Sequence, residues 1–336
     1  MKKLLKFHML IGVAVLCVAS TQTRAQTIPS STEVPVSLVL TLQGQHGAGI
    51  SGLNSGNLIV TAGRDRAKIT DVLPLQDARA GLELFIMMDR AREISYGTQV
   101  KDLAHFILAQ PPTTKIGIAY MDMQGPTIVQ DLTTDHSRAA QAVTTPLGSL
   151  ANGRSPYTSL TQLIDKWAPS NGGREVLMIS NGEDATFGDV APDRKNPYLD
   201  AAVENAQRAG IVVFTIATGN ESVRLAENEP PIIPPGKNTL PNIGPRGPAL
   251  GKFYLGQIAE GTGGKSYYYK SSAPVSFAPY LEDLTQRLAS QYLVRFLATS
   301  GKKPGLQSIK VRSELSHTEV VTARNVYIPA RTAGDK

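Results

Sequence analysis

Cysteine is almost absent from this 336-residue sequence, which contains a single one, Cys17. Because Cys17 lies in the N-terminal segment, a chain from which that segment is cleaved has no thiol. This excludes a disulfide framework and a cysteine nucleophile, and it suits a protein exported to an oxidising compartment. The residue before Cys17 is Leu16 rather than a small residue, which argues against lipid attachment there.

Long apolar runs are also absent, except for one near the N-terminus. Three lysines among the first six residues precede the apolar run from Met9 to Ala19, and a small-x-small cleavage signal ends at Ala25. We predict a signal peptide over residues 1–25, with cleavage near Ala25 and export to the periplasm or the extracellular space. The run is shorter than the roughly 20 apolar residues of a membrane span, and a retained anchor is the alternative. We expect no transmembrane segment in the mature chain.

A strong charge imbalance is missing once this segment is removed. The whole chain has 34 basic and 28 acidic residues, a net charge of +6. The predicted signal peptide contributes four basic residues and no acid, so the mature chain has a net charge of 30 − 28 = +2. Nearly balanced charge argues against a nucleic-acid partner.

Recognisable catalytic motifs are missing as well. The sequence contains neither a Gly-x-Ser-x-Gly elbow nor a phosphate-binding Gly-x-x-x-x-Gly-Lys loop. Its histidines beyond the N-terminal segment are far apart, at His46, His105, His136 and His317. We therefore predict that the protein is not an enzyme and assign no catalytic residue, with a hydrolase whose site is not visible in linear sequence as the alternative.

The most informative stretch that is present is 82–95, LELFIMMDRAREIS. An apolar run, Leu84 to Met88, ends at Asp89, and a charged, amphipathic segment follows. This pattern is typical of a buried parallel strand that leads into a helix. Ligands of open α/β sheets bind outside the carboxyl ends of such strands, so Asp89 marks a candidate site.

Further apolar strands alternate with helical patterns along the chain. Buried strands are predicted at 175–180 and 211–217, and a hairpin is predicted around Gln124-Gly125. Predicted helices cover residues 98–109, 137–143, 159–167, 198–209, 253–260 and 277–289. We predict an α/β fold, a doubly wound, mostly parallel sheet with helices on both faces, plus a small accessory β-sheet from the N- and C-terminal segments.

The same pattern divides the chain into segments. After a linker at 26–33, we predict a β-rich N-terminal segment at 34–80, an α/β domain at 81–290 and a C-terminal β segment at 291–330, with strands at 292–299, 307–313 and 320–328. A proline-rich insertion at 219–251, with seven prolines between Pro230 and Pro248, interrupts the α/β domain. It is either a passive surface loop or a partner-binding one.

Several motifs in this order resemble the von Willebrand factor type A domain family, whose fold is Rossmann-like. They are LFIMMDRARE, NGRSPYTSL, VLMISNGED, VVFTIATG and GQIAEGTGGKSYYY. With the β-rich leader and the closing VTARNVYIPA, the chain is most similar to the secreted bacterial proteins of the acidobacterial VWFA-related type. The resemblance covers roughly residues 34–330.

The resemblance implies a metal-ion-dependent adhesion site, which is degenerate here. Of the family's Asp-x-Ser-x-Ser motif, Asp89 is kept, while Ala91 and Glu93 replace the serines. The site-loop threonine of the family corresponds to Ser155, or less well to Thr158, and the aspartate of its Thr-Asp-Gly turn to Asn181. A divalent cation needs about six oxygen ligands, and Ala91 removes one.

Two interpretations of this site remain open. In one, Asp89, Glu93 and Ser155, with Asn181 or Asp184, bind Mg²⁺ or Ca²⁺ weakly. In the other, which we favour, no metal or other cofactor binds, and Asp89 is neutralised by a neighbouring arginine or by backbone N–H groups.

In either case we expect these five residues to contact a protein or cell-surface partner. The predicted function is that of an exported, non-enzymatic adhesion or scaffold module. A structural component of a cell-envelope complex, which uses the proline-rich insertion and the terminal β segments, is an alternative. The sequence indicates no oligomeric state.

Overall fold

The computed structural model describes residues 33–44, 52–77, 79–89, 97–122, 125–143, 155–184, 195–218, 248–268, 274–300 and 303–330. The described strands are β1 (Glu33–Gly44), β2 (Leu58–Ala62), β3 (Asp65–Arg66), β4 (Lys68–Pro74), β5 (Leu82–Asp89), β6 (Lys115–Asp122), β7 (Gly125–Thr133), β8 (Gly173–Ser180), β9 (Ile211–Ala217), β10 (Ser266–Tyr267), β11 (Gln291–Thr299), β12 (Gly305–Ser313), β13 (Thr318–Thr322) and β14 (Asn325–Ile328). The described helices are α1 (Gly97–Leu108), α2 (His136–Ala142), α3 (Pro156–Lys166), α4 (Pro197–Ala209), α5 (Pro248–Thr262) and α6 (Ala278–Ala289).

A six-stranded sheet of order β10-β9-β8-β5-β6-β7 forms the centre of the fold. Strand β5 runs parallel to both β6 and β8, β9 runs parallel to β8 and β10, and only the edge strand β7 is antiparallel, in its hairpin with β6. The middle strands are apolar on both faces because both faces are covered by helices.

Each face of this sheet has its own helical layer. Helices α1, α2 and α6 pack on the face that carries Leu84, Ile86 and Met88. Helices α3, α4 and α5 pack on the face that carries Phe85 and Met87. The doubly wound α/β fold predicted from the sequence is therefore confirmed.

The terminal segments form two accessory antiparallel sheets, where the sequence predicted one. Their orders are β13-β1-β11-β4 and β14-β12-β2-β3, so each contains strands from both ends of the chain. A shared core, which includes Leu40, Val60 and Phe296, lies among them. The predicted strand at 320–328 is wrong as a single strand, because it divides at residues 323–324 into β13 and β14, which belong to different sheets.

Two helices begin three or more residues earlier than predicted, and in both a proline lies in the first turn. Helix α3 begins at Pro156 rather than at 159, and α5 begins at Pro248 rather than at 253. Proline is tolerated there because the first N–H groups of a helix have no intrahelical acceptor. Residues 248–251 are thus helical, and the rest of the predicted insertion, 219–247, lies outside the described residues, as do residues 1–32.

Within the described part of the chain, every helix is too short or too polar to span a membrane.

Candidate functional site

The carboxyl ends of the two central strands, β5 and β8, lie side by side. Strand β5 ends at Asp89 and β8 ends at Ser180. The Ser180 hydroxyl is fully buried and lies 3.4 Å from Asp89 Oδ2, to which it donates a hydrogen bond. The acid predicted from the sequence is therefore located at the edge of the sheet where a ligand site is expected.

A buried serine, aspartate and asparagine form the centre of this edge. The Ser155 hydroxyl donates to Asp184 Oδ2 at 2.7 Å, and the Asn196 amide donates to the same oxygen at 2.9 Å. Ser155 is the N-cap of α3 and Asn196 is the N-cap of α4. The Asp184 carboxylate thus lies beside two helix N-termini, whose partial positive charge stabilises an anion.

The loop between these groups is a tight turn held by its own side chains. The Glu183 backbone N–H donates to Asn181 Oδ1 at 3.0 Å, and the Asn181 amide donates to Glu183 Oε2 at 3.1 Å. The Gly182 N–H donates to Ser180 Oγ at 3.0 Å. Since Glu183 is exposed, this turn presents a carboxylate to solvent from a fixed backbone.

Helix α5 packs directly against this turn through two glycines. Gly182 has a φ of +74°, in the left-handed region that favours glycine. A Cβ atom on Gly182 would collide with the Gly251 carbonyl, and one on Gly251 would collide with the Asn181 carbonyl. The backbone of the turn therefore depends on the start of α5.

Two tyrosines lie beneath the turn. The Tyr157 hydroxyl donates to the Gly182 carbonyl at 2.8 Å, and its ring packs edge-on against Tyr254, with centroids 6.1 Å apart. Burial, with a smaller contribution from the nearby Asp184 charge, raises the pKa of both phenols. The buried Tyr254 hydroxyl has no hydrogen-bond partner among the described residues.

The structure separates the five predicted site residues into groups. Ser155 and Asp184 bind each other directly, whereas Asp89 is linked to Ser180 and Asn181 to Glu183. Glu93 lies outside the described residues, as do Arg90 and Ala91. The alternative loop residue, Thr158, donates its backbone N–H to Ser155 Oγ at 3.4 Å and follows the helix cap.

Four residues that this edge uses were not among the predicted site residues: Ser180, Glu183, Asn196 and Tyr254. Asn196 carries a detectable signal, because an asparagine directly before a proline that opens a helix is a typical N-cap. No equivalent signal marks Tyr254, whose position depends on how α5 packs.

No group of three or more histidine, cysteine, aspartate or glutamate side chains is arranged to hold a metal ion within the described ranges. The side-chain oxygens of Ser155, Asp184 and Asn181, which the family resemblance assigns to a metal site, take part in hydrogen bonds here. Ser155 caps α3 and donates to Asp184, and the Asn181 side-chain oxygen, Oδ1, accepts the Glu183 N–H.

Comparison with known proteins gives structural similarity alone. No family model matches the chain, and no curated protein matches it. Among solved structures, BatB from Bacteroides thetaiotaomicron is 15% identical with a TM-score of 0.42, covering 62% of this chain and 98% of its own. The vWF domain of the type V pili tip protein Mfa5 from Porphyromonas gingivalis is 10% identical with a TM-score of 0.40, over 62% and 94%. The SpRpn10 VWA domain is 13% identical with a TM-score of 0.38, over 61% and 93%. Similarity this low does not assign a function.

Proposed function

We propose that this protein is an exported, non-enzymatic interaction module of the von Willebrand factor type A kind. It binds a partner protein at the carboxyl edge of the six-stranded sheet. The observation that carries the proposal is the fixed polar cluster at that edge, in which Asp184 is bound by the caps of two helices and the exposed Glu183 is held by the adjoining turn. Such an edge presents charge to a partner from a rigid backbone, with little entropy lost on binding.

Exposed aromatic side chains on the helices of this edge support a protein partner. Tyr198 lies in the first turn of α4 and is 38% exposed, and Phe253 lies in the second turn of α5 and is 49% exposed. Aromatic residues are enriched in protein interfaces, where they add apolar area beside polar contacts.

We propose that this binding needs no divalent cation. The family's site supplies several oxygens to one ion, but here position 91 is alanine, and the Asn181 oxygen is engaged within its own turn. Asp184 is stabilised by two donor side chains and two helix N-termini, so it does not require a cation for charge compensation.

The non-enzymatic part of the proposal is supported by the surroundings of the buried serine hydroxyls that donate to carboxylates at this edge, Ser155 and Ser180. Ser155 donates to Asp184, whereas the described histidines lie on other elements. The His136 ring, for example, contacts the Thr114 carbonyl at 2.8 Å, before the start of β6. A nucleophile activated by a histidine base is therefore not assembled in the described part of this edge.

Export and family membership rest on the sequence motifs: the basic and apolar start that ends near Ala25, and the ordered motifs around Asp89 and Asn181.

Affinity capture from envelope extract tests the proposal. The wild-type chain is compared with Glu183→Lys at the edge and with Glu282→Lys, an equal change of charge at an exposed position of α6. We expect Glu183→Lys to lower capture of the specific partner by about tenfold or more, which corresponds to about 1.4 kcal/mol of binding free energy, because the substitution reverses the charge at the interface. Glu282→Lys should capture normally, with or without chelator. Equal capture by both variants would refute binding at this edge, and loss of capture in chelator would refute its independence of metal.

A further inference from the structure

Strand β8, which ends at the turn of Asn181 to Glu183, contains a buried carboxyl group near its other end. Glu175 is fully buried, between Leu84 of β5 and Val212 of β9 in the sheet. Neither of its carboxyl oxygens has a hydrogen-bond partner among the described residues. An ionised carboxylate in such a place is costly, because its lost hydration is not replaced.

This carboxyl group faces the place where the accessory sheet of β1 and β11 joins the six-stranded sheet. Gln291, the first residue of β11, is 1% exposed, and its amide donates to Thr41 Oγ1 of β1 at 3.4 Å. At this place the accessory sheet is closed by main-chain hydrogen bonds to the start of β11: Leu75 N–H, just after β4, donates to the Gln291 carbonyl at 2.8 Å, and Leu42 N–H of β1 donates to the Ser290 carbonyl at 3.0 Å.

The cluster at this joint contains more acceptors than donors. Like both Glu175 oxygens, the Gln291 side-chain oxygen is buried and has no partner in the described part of the chain. A proton on Glu175 converts one of these three acceptors into a donor, and the hydroxyl so formed is suited to the Gln291 oxygen. Neutral Glu175 therefore corrects the imbalance that the ionised form leaves.

The charged residues of the neighbouring elements do not compensate Glu175. Arg174 and Glu83 lie on the opposite face of the sheet, where both contact Trp167. On α6, Asp283 and Arg287 form an ion pair, and Asp283 also accepts hydrogen bonds from Lys265 and Tyr267. The side chains of α6 that are buried in the core are leucines. Burial raises the pKa of Glu175 to about 8, and the nearby Gln291 side chain opposes this shift only in part.

We infer that Glu175 is a proton-dependent lock. When it is neutral, the end of the accessory sheet at Leu42, Leu75 and Gln291 stays closed against β8, and when it ionises, that end opens. The closed joint binds the proton more tightly than the open one, in which Glu175 has its ordinary pKa of 4.5. The stabilisation is therefore complete below pH 4.5 and is lost as the pH rises to about 8.

Hydrogen exchange at the Leu42 and Leu75 amides, corrected for intrinsic rates, measures this opening. In the wild type we expect the opening constant to rise by up to about tenfold per pH unit between pH 5 and 8, and then to level off. Glu175→Gln keeps the volume, cannot ionise and supplies N–H donors, so its opening constant should be independent of pH. Glu282→Gln, on the exposed side of α6, should keep the wild-type profile.

Infrared spectroscopy and a second variant keep the test decisive if Glu175→Gln does not fold. The wild type at pH 6 should show the C=O band of a buried protonated carboxyl group, which disappears at high pH. Glu175→Leu, which replaces the carboxyl group with an apolar side chain, should give an opening constant that does not depend on pH. A wild-type opening constant that does not change with pH, or the absence of that band at pH 6, would overturn the inference.

Discussion

At the scale of single residues, the sequence predicted the edge of the sheet where these side chains lie better than it predicted which side chains pair. Asp89 and Asp184 both lie at the predicted edge, because each follows an apolar strand and parallel strands end together. Their partners were not predicted, since Ser155 and Asn196 reach Asp184 from two helix starts that are distant in the chain. The buried Glu175 was likewise read as part of an ordinary apolar strand, because burial on both faces is a property of the whole sheet.

Two glycines of α5 give a matched test of how this helix supports the site turn. We expect Gly251→Ala to lower the free energy of unfolding by about 1–3 kcal/mol, because its Cβ would collide with the Asn181 carbonyl. Gly256→Ala meets no atom within 4 Å and should stabilise the protein by up to about 1 kcal/mol through helix propensity.

Urea denaturation of both variants measures these changes. If Gly251→Ala proved as stable as Gly256→Ala, the close packing of α5 on the turn would be wrong.

At the scale of elements, strands with strong apolar patterns were predicted well, whereas the starts of two helices, α3 and α5, were not. Strand β9 was predicted with its observed bounds, 211–217, because its apolar run is flanked by turn residues. The start of α5 was missed because Pro248 was assigned to a proline-rich insertion, although the first turn of a helix accommodates proline. The division between β13 and β14 depends on which accessory sheet each strand joins, which is information that local sequence does not contain.

Helix α6 has no N-cap side chain of its own and is capped by α1 instead. Asp102 Oδ2 accepts hydrogen bonds from Ser276 Oγ at 2.7 Å and from the backbone N–H groups of Phe277 and Ala278 at 2.9 and 3.3 Å. We expect Asp102→Ala to lower the free energy of unfolding by about 2 kcal/mol, since it removes charge-assisted bonds and a helix cap.

Lys101, the exposed neighbour of Asp102, supplies the control variant, and urea denaturation measures the free energy of unfolding of both variants. Lys101→Ala should change stability by less than about 0.5 kcal/mol. A loss as small for Asp102→Ala would show that the α1 contact does not stabilise α6.

At the scale of the whole molecule, the chain closes on itself through the accessory sheets. Strand β1 pairs with β11 along its length, from Glu33 with Thr299 to Thr41 with Gln291, so the ends of the described chain share one core. The sequence predicted β segments at both ends but could not divide them between two sheets, because pairing over so long a separation is fixed by tertiary packing. The amino edge of the six-stranded sheet faces this joint, and the carboxyl edge lies at the opposite ends of the same strands.

Site-specific photo-crosslinking tests partner binding at the carboxyl edge most directly. With Cys17→Ser as background, the chain has no other thiol, so a single cysteine can carry the crosslinker. Glu183→Cys places it on the turn at the carboxyl edge, and Asn171→Cys places it on the exposed loop before β8, at the opposite edge. After irradiation in envelope extract, we expect a discrete crosslinked partner from position 183 and none from position 171. Crosslinking from position 171 alone, or equally from both positions, would contradict binding at the carboxyl edge.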